Sequence, residues 1–270
     1  MKQIRIMTAL IAGMLLFCTN AFAVTLLSEN FDSVTGIGTT ERTLQSILAT
    51  SSSELAAGTS WSVTTPATAA SVNVRHTDNR INSATIGIER FYDAFTPINN
   101  TNNFLVLGDD SSNINNAPFG GVSSYSVPFA TPAATGSIRV KFDYAFNGWD
   151  NATGGHNKFR VYLSDGTNNK ELLDFSSPAG TGRPAEARGS NYAQGPYNQL
   201  VDISTLTGSN FTLHFVLDEG SILNNIISNA AVGADNILIT SESTSVPEPS
   251  TFMLLGAGIA GIAFLKRRRG

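Results

Sequence analysis

The sequence predicts an all-β protein, an antiparallel two-sheet sandwich with one minor helix, flanked at each end by a segment that is not part of the sandwich. Three observations carry this. Apolar and polar residues alternate with period two in several runs, the pattern of a strand with one face on a core. Clusters of Gly, Asn, Asp, Ser and Pro separate the runs, as turns require. A single stretch spaces its apolar residues as a helix does, and many strands with few helices pack as sheet on sheet.

The body opens with an expected strand at Val24–Leu27. A helix is expected over Thr40–Ala57, where Leu44, Ile47, Leu48 and Leu55 fall near one face. Shorter strand candidates follow at Trp61–Thr64, Ser71–His76, Ala84–Tyr92, Phe104–Leu107 and Tyr125–Phe129. The clearest strand is Ser137–Phe146, with Ile138, Val140, Phe142, Tyr144 and Phe146 on one face and Arg139, Lys141 and Asp143 on the other. Lys158–Ser164 turns Phe159, Val161 and Leu163 inward, Glu171–Phe175 follows, and Asn210–Asp218 repeats the pattern through Phe211, Leu213, Phe215 and Leu217. Asp235–Thr240 closes the body with Ile237 and Ile239. There is no internal repeat, and residues 241–245 read as a flexible linker.

Both ends read as addresses. Lys2 and Arg5 precede an apolar stretch from Ile6 to Phe17, then Ala21-Phe22-Ala23. That is a secretory signal peptide, residues 1–23, with small residues at Ala21 and Ala23 and cleavage after Ala23. Cys18 raises the alternative of a lipoprotein signal, but Phe17 before it is too large for that peptidase. At the other end Val246-Pro247-Glu248-Pro249-Ser250 precedes an uncharged run, Thr251–Leu265, and then Lys266 and three arginines. Fifteen residues of helix span roughly 22 Å, short of a ~30 Å hydrocarbon core, and snorkelling basic residues extend the fit. The basic cluster places the C-terminus in the cytoplasm and the body outside. The two prolines keep residues 246–250 extended and open to a processing enzyme. A plain single-pass anchor is the alternative.

Composition narrows the function. Of the 17 Lys and Arg, six lie in the two tails, and of the 21 Asp and Glu only Glu248 does, which leaves the body 11 against 20, a net of −9. Nucleic acid is excluded as a natural partner of so acidic a body. The single cysteine, Cys18, falls in the signal, so the body has neither a disulfide nor thiolate chemistry. The sequence has no Gly-x-Ser-x-Gly, His-Glu-x-x-His or phosphate loop, so the expected answer to whether it is an enzyme is no. His76, His156 and His214 sit in unrelated strand or loop contexts.

The C-terminal residues 246–270 resemble the PEP-CTERM sorting signal of Gram-negative bacteria, in motif, span and basic end. The resemblance implies export, a transient hold in the inner membrane, processing by an exosortase near Pro247-Glu248-Pro249, and release to the cell surface or an exopolysaccharide biofilm matrix. Within the body, Val24-Thr-Leu-Leu-Ser-Glu-Asn-Phe-Asp32, Phe142-Asp-Tyr-Ala-Phe146 and Val232-Gly-Ala-Asp-Asn-Ile-Leu-Ile239 resemble jelly-roll domains of the carbohydrate-binding-module and adhesin type. That resemblance implies a jelly-roll-like sandwich over residues 24–240 in which first and last strands pair.

Two candidate sites follow. Asp235 shares parity with Ile237 and Ile239 and so points inward, where a carboxylate needs partners. Glu29 and Asp32, near the first strand, join it in one reading, a structural Ca2+ of the kind that the resembling sugar-binding domains hold; in the other, Asp235 caps backbone amides. The stretch Asn147–Asn157 reads as a Gly-rich loop in which Trp149 stacks on a sugar ring while Asp150, Asn151 and His156 hydrogen-bond its hydroxyls; the alternative folds Trp149 onto the core. Asp109, Asp110 and Asn113 lack the ligand order of a calcium loop. The expected function is a structural or adhesive surface protein, with a carbohydrate-binding module and a polysaccharide-active enzyme as alternatives.

Overall fold

The structure is a computed structural model and describes residues 23–37, 42–50, 52–64, 72–76, 103–108, 121–132, 135–150, 157–176, 193–218 and 228–241, together with Gly256 and Gly258. Thr25–Ser241 forms one compact unit, and Met1–Val24 with Glu242–Gly270 falls in another. Ala21 and the motif Val246–Ser250 lie outside the described residues. Ala23 is an exposed residue just ahead of the first strand, and Gly256 and Gly258 have helical backbone. No helix among the described residues is long and apolar enough to cross a membrane.

The body is a sandwich of two antiparallel sheets, as its alternation requires. In chain order the strands are β1 (Thr25–Glu29), β2 (Arg42–Thr43), β3 (Ser60–Thr64), β4 (Val72–His76), β5 (Asn103–Gly108), β6 (Val122–Ala130), β7 (Ser137–Asp150), β8 (Lys158–Ser164), β9 (Asn169–Ser176), β10 (Ala193–Asp202), β11 (Asn210–Asp218) and β12 (Ser228–Ser241). One sheet runs β10-β7-β12-β5-β4-β2 with β1 also on β12, and the other runs β3-β6-β11-β8-β9. From β6 onward the chain crosses between sheets five times, the sheet-switching expected of a jelly-roll-like fold. First and last strands pair, Leu27 opposite Ile239 and Glu29 opposite Ile237.

The core is the set of inward positions of the two sheets. Ile138, Val140, Phe142 and Phe146 of β7 meet Phe159, Val161 and Leu163 of β8 and Leu213, Phe215 and Leu217 of β11, all buried. Phe142 meets Phe215 edge-on, with centroids 5.1 Å apart and planes at 78°. Tyr125 of β6 is fully buried and packs on both Phe31 and Phe215.

Four elements differ from the sequence expectation. The helix, α1, is Leu44–Thr50 instead of Thr40–Ala57, followed by a 3-10 turn at Ser52–Glu54. Thr43 caps it, its Oγ1 accepting from Ser46 N at 3.2 Å, and Thr50 Oγ1 donates back to Ser46 O at 2.8 Å, where the serine run gives the helix no reason to continue. β7 runs on to Asp150, pairing Trp149 with Asn229 and Asp150 with Ser228, so these two are strand residues and not loop residues. β12 begins at Ser228 instead of Asp235. β10 has no counterpart in the expected strands. The expected strand at Ala84–Tyr92 lies outside the described residues.

Asp165 fastens one end of the sandwich. Its Oδ1 accepts from Thr167 N at 2.7 Å and Asn168 N at 2.6 Å, closing the β8–β9 turn. Its Oδ2 accepts from Asn168 Nδ2 at 3.1 Å and from Thr207 N at 2.7 Å, in the turn between β10 and β11. The bond from Asn168, then those from Thr207 and Thr167, hold this carboxyl well below the usual carboxylate range, because each donor favours the charged form.

Candidate functional site

The outward-parity positions of the five-stranded sheet fall into rows across its strands, with Ser126 and Val216 buried among them. In one row Ser60, Ser126, His214, Tyr162 and Glu171 lie side by side across β3, β6, β11, β8 and β9. In the next row the sequence is Ser62, Ser124, Val216, Arg160 and Asp174. The β3–β6 side is hydroxyl-rich and uncharged, whereas β8 and β9 carry Lys158, Arg160, Glu171 and Asp174, all exposed. Ser62 Oγ and Ser124 Oγ share a hydrogen bond of 2.7 Å across the strands.

The centre of this face is aromatic. Tyr162 and His214 are half-buried and stacked, with centroids 4.6 Å apart and planes 19° from parallel. His214 Nδ1 lies 2.7 Å from Ser126 Oγ, and either atom can donate. Burial pushes the His214 imidazole down from its ordinary value, so the ring is neutral at neutral pH. Ser126 is itself buried, 9 % exposed. The pair is therefore an oriented, uncharged ring platform with a hydroxyl array on one side and mixed charge on the other. Each ring covers one face of the other, and donors and acceptors surround the pair.

Neither residue was singled out in the sequence as a binding residue. Alternation alone turns Tyr162 and His214 away from the core, since Phe159, Val161, Leu213 and Phe215 take the inward parity. That they stack depends on β8 pairing with β11, two strands separated by β9 and β10 in the chain.

The structure places the expected metal residues as follows. Glu29 is 5 % exposed, and its two oxygens accept backbone amides, Phe31 N at 2.9 Å and Ala56 N at 2.6 Å. Burial raises its carboxyl above the ordinary value, against the lowering effect of these bonds. Asp32 is exposed, and its Oδ2 accepts from Asn30 Nδ2 at 3.0 Å. Asp235 is fully buried, as its parity requires, and sits at a bulge opposite Asp143, with its Oδ1 accepting from Asn236 N at 2.7 Å. Asn236 takes the left-handed conformation there, and its Nδ2 donates to Asp143 Oδ2 at 2.8 Å. Among the described residues no three His, Cys, Asp or Glu side chains form a metal-holding group, Glu29, Asp32 and Asp235 included. Each Glu29 oxygen thus already carries one backbone amide hydrogen bond.

Glu29 instead organises the loop after β1. Phe31 has φ 57 and is fully buried, a conformation that costs a non-glycine residue about 1–3 kcal/mol. Asn103 Nδ2 donates to Phe31 O at 3.2 Å and Val34 O at 2.9 Å, and Glu54 Oε1 accepts from Thr35 Oγ1 at 2.6 Å. Of the expected glycan residues, Trp149 and Asp150 end β7, while Asn151 and His156 lie outside the described residues.

Comparison with known proteins adds the following. No curated protein sequence matches this chain. Among solved structures it is similar to TmCBM61 in complex with beta-1,4-galactotriose, at 11% identity and TM-score 0.37, over 69% of this chain and 90% of that one. It is also similar to the carbohydrate-binding module TmCBM27, at 10% identity and TM-score 0.29, over 83% and 100%. A third is the K3 cleaved adhesin domain of Lys-gingipain from Porphyromonas gingivalis w83, at 18% identity and TM-score 0.26, over 53% and 77%. No residue correspondence follows from similarity of this degree. Residues 245–269 match the PEP-CTERM protein-sorting motif, and the chain is thus a β-sandwich protein carrying that sorting signal at its C-terminus.

Proposed function

We propose that this chain is an exported surface protein, cut by an exosortase within its C-terminal signal, whose sandwich binds extracellular polysaccharide without turning it over. The observation that carries the binding reading is the stacked Tyr162–His214 pair on the solvent side of the five-stranded sheet, beside Ser60, Ser62, Ser124 and Ser126. A flat hydroxyl-lined face with one ring platform suits a chain of sugar rings better than a compact small molecule. A Ser–His contact of 2.7 Å is also how a nucleophile pair begins. Here the ring is stacked and the hydroxyl is buried within a sheet, which suits packing better than attack on a substrate.

The sorting half is tested by mass spectrometry of protein recovered from the cell surface. The expected mature chain lacks residues 1–23 and everything beyond the 246–250 motif. An intact span through Leu265 in surface material would replace exosortase processing by a plain anchor.

The binding half is tested on a glycan array, followed by titration of the best ligand. Tyr162→Ala should weaken binding about tenfold or more, because a stacked ring contributes about 0.5–1.5 kcal/mol beyond the area it buries. His214→Ala should act in the same direction, and Trp149→Ala should serve as the comparison from the other sheet. Binding that ignores Tyr162 and His214 but fails with Trp149→Ala would move the site to the end of β7.

A further inference from the structure

We infer that the polysaccharide of this site is a neutral one, and that it lies along the strands on the β6 side of the ring pair, stacked on His214 with Tyr162 as the ring behind. The inference rests on the sugar-binding reading above and narrows it to one ligand class and one half of the sheet.

The ring pair sets the direction of the chain. His214 and Tyr162 are directly opposite in register, on strands about 4.8 Å apart, and their centroids are 4.6 Å apart. The stack therefore runs across the strands. The faces the two rings turn to each other are closed to a ligand, so a sugar can use only the far face of each. The far face of His214 looks over β6 and β3, and that of Tyr162 looks over β9. A sugar ring stacked on either one stands beside the pair, and the next rings of its chain follow the strands.

The two sides differ in width and in charge. β6 and β3 both lie on the His214 side, whereas β9 is the last strand on the Tyr162 side. Ser60–Thr64 of β3 and Val122–Ala130 of β6 contain no charged residue. Their outward positions hold Ser60 and Ser62, both exposed, and Ser124, half-buried. On the Tyr162 side the residue in the same row is Glu171, an exposed carboxylate, with Asp174 in the next row.

A serine hydroxyl both donates and accepts, as the hydroxyls of a sugar chain do, and the Ser62–Ser124 bond leaves both oxygens further positions. These two strands offer no counter-charge, however. A carboxylate or an ammonium on the ligand would lose water there with no opposite charge to replace it. Burial keeps His214 neutral, so the stacking ring supplies none either. A polyanion is opposed further by the excess of acid over base in the body. A polymer whose polar groups are hydroxyls alone is therefore the ligand this half of the sheet fits.

The test titrates the full chain with dextran, galactan and mannan as neutral polymers, polygalacturonate as the acid and chitosan oligomers as the amine. The best ligand should be neutral, and its affinity should change by less than about twofold as salt rises, since no ion pair is there to be screened. Ser62→Ala should weaken that binding about three- to tenfold, as loss of one hydrogen-bonded hydroxyl does, and Ser60→Ala should act in the same direction. His214→Ala should cost at least as much as Tyr162→Ala, and Glu171→Gln should cost less than either serine variant. Ser60 and Ser62 are exposed, so both serine variants should melt with the parent. A best ligand that is polygalacturonate or chitosan, released by salt yet still dependent on Tyr162 and His214, would overturn the inference and leave the sugar-binding reading standing. So would a loss with Glu171→Gln that exceeds the loss at both serines, which would place the chain over Tyr162. Failure to bind any of the polymers would remove that reading, and this inference with it.

Discussion

Gly108→Ala should lower the melting temperature by roughly 6–12 °C, taking about 2–4 °C per kcal/mol for a body of this size. Gly108 ends β5 at φ 89, a conformation that an L side chain adopts only at a cost of about 1–3 kcal/mol. There is no room for the new methyl either. A Cβ at this position would run into the carbonyl oxygen of Ala230 and into Cδ2 of Leu217. Ala230 belongs to the central strand β12, and Leu217 is fully buried in the facing sheet, so neither retreats without disturbing a layer. Overpacking of that kind adds about 1–3 kcal/mol, for a total near 3 kcal/mol. Gly36→Ala is the control, since Gly36 has φ 70 with nothing within 4 Å of an added Cβ and meets the backbone cost alone. Equal shifts from the two variants would show that β5 and the facing sheet are not packed as described.

The strands that the sequence made legible are those whose inward residues are large. β7, β8 and β11 place Ile, Val, Leu and Phe at every second position, and burial follows that parity closely. β10 was missed because Gly195 and Pro196 are turn formers, yet both sit in a strand paired with β7 from Ala193 to Asp202. The first half of β12 was missed for another reason. Ala230, Val232 and Ala234 are small, yet the strand is central, because β5 and β7 flank it closely on both sides. The end of β7 was read as a loop because Asn147, Gly148 and Asp150 are turn formers, but β12 supplies partners through Asp150.

The candidate site was half legible. Outward parity turns Tyr162 and His214 away from the core strand by strand, whereas the ring expected to stack on a sugar was Trp149. Register between strands far apart in the chain is a tertiary property, and it alone brings the two rings to 4.6 Å. The parity argument for Asp235 held, since it is fully buried. Parity says nothing of what a buried carboxylate accepts, and at Glu29 the acceptor role goes to amides of its own loop and of Ala56.

Glu29→Ala should cost about 2–5 kcal/mol, since it strips the acceptor from two backbone amides at once and each such group left unpaired costs about 1–3 kcal/mol. The loss extends beyond the pair. Phe31 holds its left-handed conformation because Glu29 takes its N–H from one side while Asn103 takes its C=O from the other. With Glu29 gone, the loop has less reason to keep Phe31 edge-on against Tyr125, 5.7 Å away at the centre of the core. Part of the cost is returned, because burial raises the Glu29 carboxyl above its ordinary value and the variant no longer desolvates a charge. The measurement is a pair of thermal melts, parent and variant, each in chelator and in millimolar calcium. Both Glu29 oxygens already accept amide hydrogens, so the parent should melt alike in the two buffers while Glu29→Ala melts well below it in both. A bound ion would instead stabilise the folded parent by RT ln(1 + [L]/Kd). A parent that melts higher in calcium, with the difference lost in Glu29→Ala, would restore the metal reading and make the amide bonds its apo form.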